Sequence, residues 1–153
     1  MKKIVAIRET CKDDLHGLLD LYAHLHSDDA LLPPQHDLAP IWESMCDNPA
    51  VHCIIADSDG RIISSCILLV IPNLTRSARS YGIIENVITH PDFRRQGYAK
   101  AVLEYALDLT QSASCYKVML LSNRKNQEAH QLYETLGFDR HTKYGYVIYR
   151  HGI

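Results

Sequence analysis

The sequence lacks the paired cysteines of a disulfide framework or a zinc site. Its five cysteines, Cys11, Cys46, Cys53, Cys66 and Cys115, are odd in number, widely spaced and free of any Cys-x-x-Cys pair, so they read as reduced thiols packed as small hydrophobes. A metal-binding run is missing as well. No His-Glu-x-x-His occurs among the nine histidines. His24 and His26, close to Asp28 and Asp29, diverge on a helix because residues two apart do not face each other, and no metal is expected. Nor is there an excess of charge: 16 Lys and Arg against 18 Asp and Glu leave a net charge of −2, with no basic block to track a nucleic-acid backbone. In the N-terminal MKKIVAIRE, Arg8 and Glu9 interrupt the apolar run before it reaches the length of a signal peptide or membrane span. These absences argue against a nucleic-acid partner and against a membrane, and a cytoplasmic chain is expected. No internal repeat or low-complexity segment is visible.

What is present is apolar material, 46% of 153 residues, enough to bury a core. A single domain over residues 1–153 is expected. Residues 3–9 read as an opening strand, and Thr10 as the cap of a helix carrying Leu15, Leu18, Leu19, Tyr22 and Leu25. The prolines Pro33, Pro34 and Pro40 break that pattern, leaving room for a short helix over residues 41–46. Two apolar runs, 51–56 and 62–71, joined by Asp57-Ser58-Asp59-Gly60, predict a β-hairpin. A polar loop over 72–80 leads to a strand over 81–89, and then the period changes to helical: Ala99, Val102, Leu103, Ala106 and Leu109 share a stripe. A short strand over 116–121, a helix with Ala129, Leu132, Tyr133 and Leu136 on one face, and a last strand over 144–149 complete the chain. The order β-α-α-β-β-β-α-β-α-β predicts a mixed α/β fold, with a mostly antiparallel sheet of about six to seven strands flanked by about four helices.

The segment Arg94-Arg95-Gln96-Gly97-Tyr98-Ala99-Lys100 lies where a strand hands over to a helix. Backbone N–H groups at a helix start lack internal partners, and the helix dipole adds partial positive charge. Gly97 allows close approach to the backbone, and Arg94 and Arg95 can add charge-assisted bonds to phosphate oxygens. This is an anion site suited to a pyrophosphate. The nucleotide alternatives fail, because neither a G-x-x-x-x-G-K-[ST] run nor a G-x-G-x-x-G fingerprint is present.

The same stretch, with its approach Thr89-His90-Pro91-Asp92-Phe93-Arg94, resembles the Q/R-x-x-G-x-G/A loop of the GNAT N-acetyltransferase superfamily. A second stretch, Asn126-x-x-Ala129-x-x-Leu132-Tyr133-Glu134-x-x-Gly137-Phe138, is similar to that superfamily's N-x-x-A-x-x-[LF]-Y-x-x-x-G-F. Together they cover roughly residues 81–140. The resemblance implies the GNAT fold and acetyl-CoA as co-substrate. Its pyrophosphate would sit on residues 94–100 and its pantetheine arm would run along Val87, Ile88 and Thr89 like an added strand, which requires a free strand edge. Arg95 and Ala99 stand where the family commonly has glycine.

The resemblance further assigns Tyr133 as the general acid that protonates the coenzyme A sulfur. A phenol with a pKa of about 10 does hold its proton at neutral pH. Glu85 interrupts an otherwise apolar strand, so its carboxylate must be compensated. On a period-two count it shares a face with Ile83, Val87 and Thr89, where it can act as a base, bind the acceptor's ammonium, or simply face solvent. Asn126 reads first as a helix cap and second as a neighbour of the coenzyme arm. The acceptor is an amine on a small molecule or a peptide, in a pocket expected between residues 27–42 and 72–80. Ile84-Glu85-Asn86-Val87 and Cys115-Tyr116-Lys117-Val118 are similar to stretches of glucosamine-phosphate N-acetyltransferases, and Arg76 and Arg79 are available to a phosphosugar. A non-catalytic acetyl-CoA sensor is the alternative reading, and a homodimer stays open.

Overall fold

The computed structural model describes residues 4–25 and 33–150. His26, Asp28, Asp29 and the start of the expected pocket wall, residues 27–32, lie outside the described residues. The chain divides into two compact units, residues 1–120 and 121–153.

The first unit carries one five-stranded sheet in the order β1-β2-β3-β4-β5: β1 (Val5–Glu9), β2 (Val51–Ser58), β3 (Arg61–Ile71), β4 (Tyr81–Thr89) and β5 (Val118–Leu120). All neighbours are antiparallel except β4 and β5, which run parallel. This mixed, mostly antiparallel sheet bears out the expected fold class. The β2–β3 hairpin closes through Asp59 and Gly60, both left-handed with φ of 52° and 86°, a two-residue turn whose twist matches its strands. The Asp57 carboxylate accepts the Gly60 amide at 2.7 Å.

Helix α1 (Leu15–Tyr22) follows a short 3-10 turn, Lys12–Asp14, whose cap position is Cys11 and not Thr10. Helix α2 (Gln35–Asp47) begins six residues before the predicted start and runs through Pro40. A proline that far inside removes one helical hydrogen bond, and the buried Trp42, 5% exposed, compensates by anchoring the helix. Its indole N–H donates to the Lys12 carbonyl at 2.9 Å. Both helices cover one sheet face, where Leu15, Leu18, Leu21 and Trp42 form one cluster with Cys53, Ile55, Ile67 and Ile88. Helix α3 (Tyr98–Ser112) buries Val102, Leu103, Ala106 and Thr110. It covers the other face, where the Cys66 thiol donates to the Val102 carbonyl at 3.5 Å. Each Leu or Ile buried this way contributes about 1.5–3 kcal/mol. Burial pushes the thiols of Cys53 up to about 11 and of Cys66 up to about 12, so both stay protonated and inert at neutral pH.

Residues 72–80 contain a left-handed turn, Thr75–Ala78, in which Arg76, Ser77 and Ala78 all have φ between 55° and 59°. In the second unit, helix α4 spans Gln127–Thr135. The strand expected over 144–149 is absent among the described residues. Tyr144, Tyr146 and Ile148 are 79–90% exposed, and no backbone hydrogen bond among the described residues engages that stretch. Aromatic and β-branched side chains favour extended backbone, but a strand exists only when a neighbour completes its ladder. Among the described residues no helix is long and apolar enough to cross a membrane.

An ion cluster joins β1, β2 and the 3-10 turn. Arg8 donates to Asp14 at 2.7 Å and to Asp57 at 2.9 Å, and its guanidinium holds the Asp14 carboxyl down at about 2 against an ordinary 3.8. A depressed carboxyl stabilises the fold above its unfolded pKa and loses that contribution as pH falls through the folded one. Arg8→Leu is therefore expected to lower Tm at pH 7, with the gap from wild type closing between about pH 4 and pH 2. A gap of constant size in thermal melts across that window would contradict it.

Candidate functional site

Strand β4 is paired on both sides only at its start. The Gly82 amide donates to the Lys117 carbonyl at 3.0 Å, and β5 matches only Gly82, Ile83 and Ile84. From Glu85 onward β4 has β3 on one side and, among the described residues, no strand on the other. That is the free edge the sequence called for.

A β-bulge sits where the edge opens. Glu85 lies opposite Ile67 and Ile88 opposite Ser65, so Asn86 and Val87 together face the single residue Cys66. Asn86 is left-handed, φ 50°, a conformation asparagine tolerates better than most residues. Beyond the bulge the His90 amide donates to the Ile63 carbonyl at 2.8 Å. By the alternation of an antiparallel ladder, Ile88 then turns its main chain toward β3, while Val87 and Thr89 turn theirs to the open edge. The Thr89 carbonyl agrees, since it accepts from the Arg94 guanidinium at 3.4 Å and not from β3.

The bulge corrects one expectation. Glu85 does not share a face with Val87 and Thr89, because the extra residue shifts the pleat. It lies on the face of its cross-strand partner Ile67 and of Ile88, the face that α1 and α2 cover. There its side chain is exposed, so the carboxylate is compensated by water.

The anion segment follows. Pro91–Phe93 is a 3-10 turn, Arg94 is extended, Arg95 is left-handed at φ 60° and Gly97 at φ 87°. Gly97 is the N-cap of α3, and the first helical bond runs from the Ala101 amide to the Gly97 carbonyl at 3.0 Å. The amides of Tyr98, Ala99 and Lys100 therefore have no partner within the helix. A Cβ added at Gly97 would meet nothing within 4 Å. The glycine is required by its φ, and the space over it is open to a ligand. Arg95 holds a conformation that costs a non-glycine residue about 1–2 kcal/mol, which explains why glycine suits this position. Gln96 is tied to the Asp92 carbonyl at 3.2 Å, and Lys100 to Glu104 at 3.6 Å. Arg94 and Arg95 have no acidic partner among the described residues. An open strand edge that leads into unpaired amides and guanidinium groups without an acidic partner among the described residues fits an arm bearing amides and ending in a diphosphate.

In the second unit, Asn126 caps α4 by accepting the Ala129 amide at 3.1 Å, in line with its reading as a cap. Tyr133 is 9% exposed and meets Phe138 edge to face, with centroids 6.1 Å apart. Gly137, φ 92°, ends the helix.

Sequence reasoning missed His90 and Arg61. The His90 ring accepts the Asp92 amide at Nδ1, 3.2 Å, and Nε2 lies 3.0 Å from the Arg61 guanidinium. Their only signal was the position of His90 between a strand and Pro91. Among the described residues no group of three or more His, Cys, Asp or Glu could hold a metal ion.

Comparison with known proteins fits this geometry. A glucosamine 6-phosphate N-acetyltransferase of Trypanosoma brucei brucei is 38% identical over 84 residues, 55% of this chain and 55% of that protein. One of Arabidopsis thaliana is 30% identical over 78 residues, 50% of this chain and 52% of that protein. The chain thus spans about half the length of the curated relatives it matches. A solved structure from Agrobacterium tumefaciens, put forward as an acetyltransferase, superposes with a TM-score of 0.88 at 36% identity, covering 95% of this chain and 99% of that one. The family model described as "Acetyltransferase (GNAT) family" matches residues 15–138, most of the described sequence. The chain belongs to the GNAT acetyltransferase family.

Proposed function

We propose that this chain moves an acetyl group from acetyl-CoA to a primary amine by direct attack in a ternary complex, and that the amine belongs to a phosphorylated amino sugar. The observation that carries the reading is the open β4 edge, with Val87 and Thr89 turned outward, running into the anion segment of residues 94–100. The names of the two curated relatives support the acceptor class.

In this reading the outward main-chain groups of β4 pair with the amides of the pantetheine arm, and the amides of residues 95–100 with Arg94 and Arg95 hold the diphosphate. The amine must lose a proton to become a nucleophile. Glu85, exposed beside the point where the edge opens, is the carboxylate that takes that proton, directly or through water. As the C–N bond forms and the C–S bond breaks, the departing thiolate takes the proton of Tyr133. A sugar phosphate needs positive charge, and the 72–80 loop supplies it from Arg76 and Arg79. Arg76 lies over the Tyr116 ring at 5.7 Å, and Arg79 is braced by the Ser114 carbonyl at 3.1 Å.

The test is to follow thiol release from acetyl-CoA across amine classes, with glucosamine 6-phosphate first. Turnover with a peptide N-terminus and none with amino sugars would overturn the acceptor class. No turnover with any amine, despite tight binding of acetyl-CoA, would make the protein a sensor of that coenzyme. Arg94→Ala should weaken acetyl-CoA by about 1.5 kcal/mol, roughly tenfold, the low end for a charged hydrogen bond because the group is exposed. Equal affinities by titration calorimetry would remove Arg94 from the site.

A further inference from the structure

His90 sits at the junction of the open edge and the anion segment, where both its backbone and its ring make contacts. Its amide donates to the Ile63 carbonyl at 2.8 Å, and its carbonyl accepts the Phe93 amide at 2.9 Å. Its ring stands edge to face against His24 at 4.6 Å and Phe93 at 5.7 Å. Arg61 reaches from β3 to the ring's Nε2 at 3.0 Å and also lies over the Phe93 ring at 5.2 Å. Phe93 in turn meets Tyr98, the first residue of α3, at 6.4 Å. The chain of contacts therefore runs from β3 through His90 to the start of the helix whose amides face the ligand.

The ring is set against two donors, the Asp92 amide at Nδ1 and the Arg61 guanidinium at Nε2. A neutral imidazole has one lone pair to offer, so each tautomer satisfies one of them. The imidazolium satisfies neither, and it places a second cation against an arginine that never gives up its own proton. The charged or titratable groups around the ring are Arg61 from β3, His24 after α1, and Asp92 and Arg94 in the loop. Only the Asp92 carboxylate, 3.8 Å from Nδ1, favours the charged form. Burial above all, then Arg61, holds the ring below its ordinary value of 6.5.

We propose that His90 is a positioning residue for acetyl-CoA: while its ring is neutral it fixes the Pro91–Phe93 turn and, through Phe93 and Tyr98, the amides that face the diphosphate, and protonation releases them. The proposal rests on the reading that residues 94–100 bind acetyl-CoA. The sign follows from linkage. The braced loop prefers the neutral ring, so its contribution is complete above about pH 6.5, the ordinary value for the free side chain, and is lost as pH falls below it.

The experiment is calorimetric titration with acetyl-CoA between pH 5 and 8 on wild type, His90→Asn and His90→Phe, with the ring resonances of unliganded wild type followed by NMR. Asparagine can accept the Asp92 amide but does not titrate. It should bind within about threefold of wild type at pH 7.5 and lose about fivefold less affinity than wild type on going to pH 5, below the ordinary pKa of an imidazole. The ligand's phosphate, which titrates near a pKa of about 6, contributes equally to both proteins and cancels. Phenylalanine keeps the aromatic contacts without the acceptor and should bind about tenfold more weakly at pH 7.5, the loss expected for one hydrogen bond at the upper end of its range. Equal pH dependence in wild type and His90→Asn would overturn the proposal, as would a His90 resonance titrating at or above 6.5 in the unliganded protein. If wild type bound no acetyl-CoA at any pH, the acetyl-CoA reading itself would fail and take this role with it, an outcome distinct from binding with an unaltered pH profile.

Discussion

Tyr133→Phe is expected to lower kcat by about 10²- to 10⁴-fold, the usual contribution of a positioned general acid, while the acetyl-CoA Kd stays within about twofold. The substitution removes one oxygen and keeps the ring. Tyr133 is 9% exposed and packs edge to face on Phe138, contacts that phenylalanine preserves, so the helix between the Asn126 cap and Gly137 should stand. In the proposed role, what is lost with the hydroxyl is the proton it would give to the departing sulfur. A coenzyme A thiolate leaving at neutral pH resembles a cysteine thiolate, with a pKa of about 8.5, and an acid of pKa about 10 can protonate it as negative charge builds on sulfur. Because that charge exists only in the transition state, the loss belongs in kcat and not in ground-state binding. Unchanged turnover would strip Tyr133 of the role, and a parallel loss of coenzyme affinity would make its hydroxyl a binding group.

Deletion of Asn86 should weaken acetyl-CoA by about 30- to 150-fold, the value of two main-chain hydrogen bonds at about 1–1.5 kcal/mol each, and leave the fold largely intact. Glu85 pairs with Ile67 and Ile88 with Ser65, so without Asn86 the chain closes into a regular ladder with Val87 opposite Cys66. One left-handed residue disappears, which offsets part of the disturbance. The bulge also bends its strand and increases the local twist, and β4 parts from β5 immediately before it. A straightened β4 would stay beside β5 and narrow the gap an amide-bearing arm has to enter. The prediction fails if the deletion variant melts near wild type and binds acetyl-CoA as tightly.

Much of this was legible in the sequence, and the limits have physical causes. The α3 stripe through Val102, Leu103 and Ala106, the Asp59-Gly60 turn and the Asn126 cap are local signals, and local rules read them correctly. Helix α2 was read too short because Pro40 looks like a stop, whereas the burial of Trp42 thirty residues from its partner Lys12 decides the matter. Residues 144–149 have strand composition, but composition cannot say whether a ladder partner is present. The face of Glu85 was misjudged by a single pleat, because a strict period of two cannot register an extra residue. An asparagine at the centre of a β-branched run was the available clue. The bracing of His90 by Arg61 joins residues 29 apart in the chain, a distance at which no motif operates.

The bulged strand has one more consequence. At Val87 and Thr89 the groups turned to the gap are peptide groups, which every amino acid except proline carries in the same form. A substitution at either position by any residue except proline therefore leaves those peptide groups facing the gap. Residue type matters more where the chain bends the unusual way, at Asn86, Arg95 and Gly97 with φ of 50°, 60° and 87°, because most side chains are strained there.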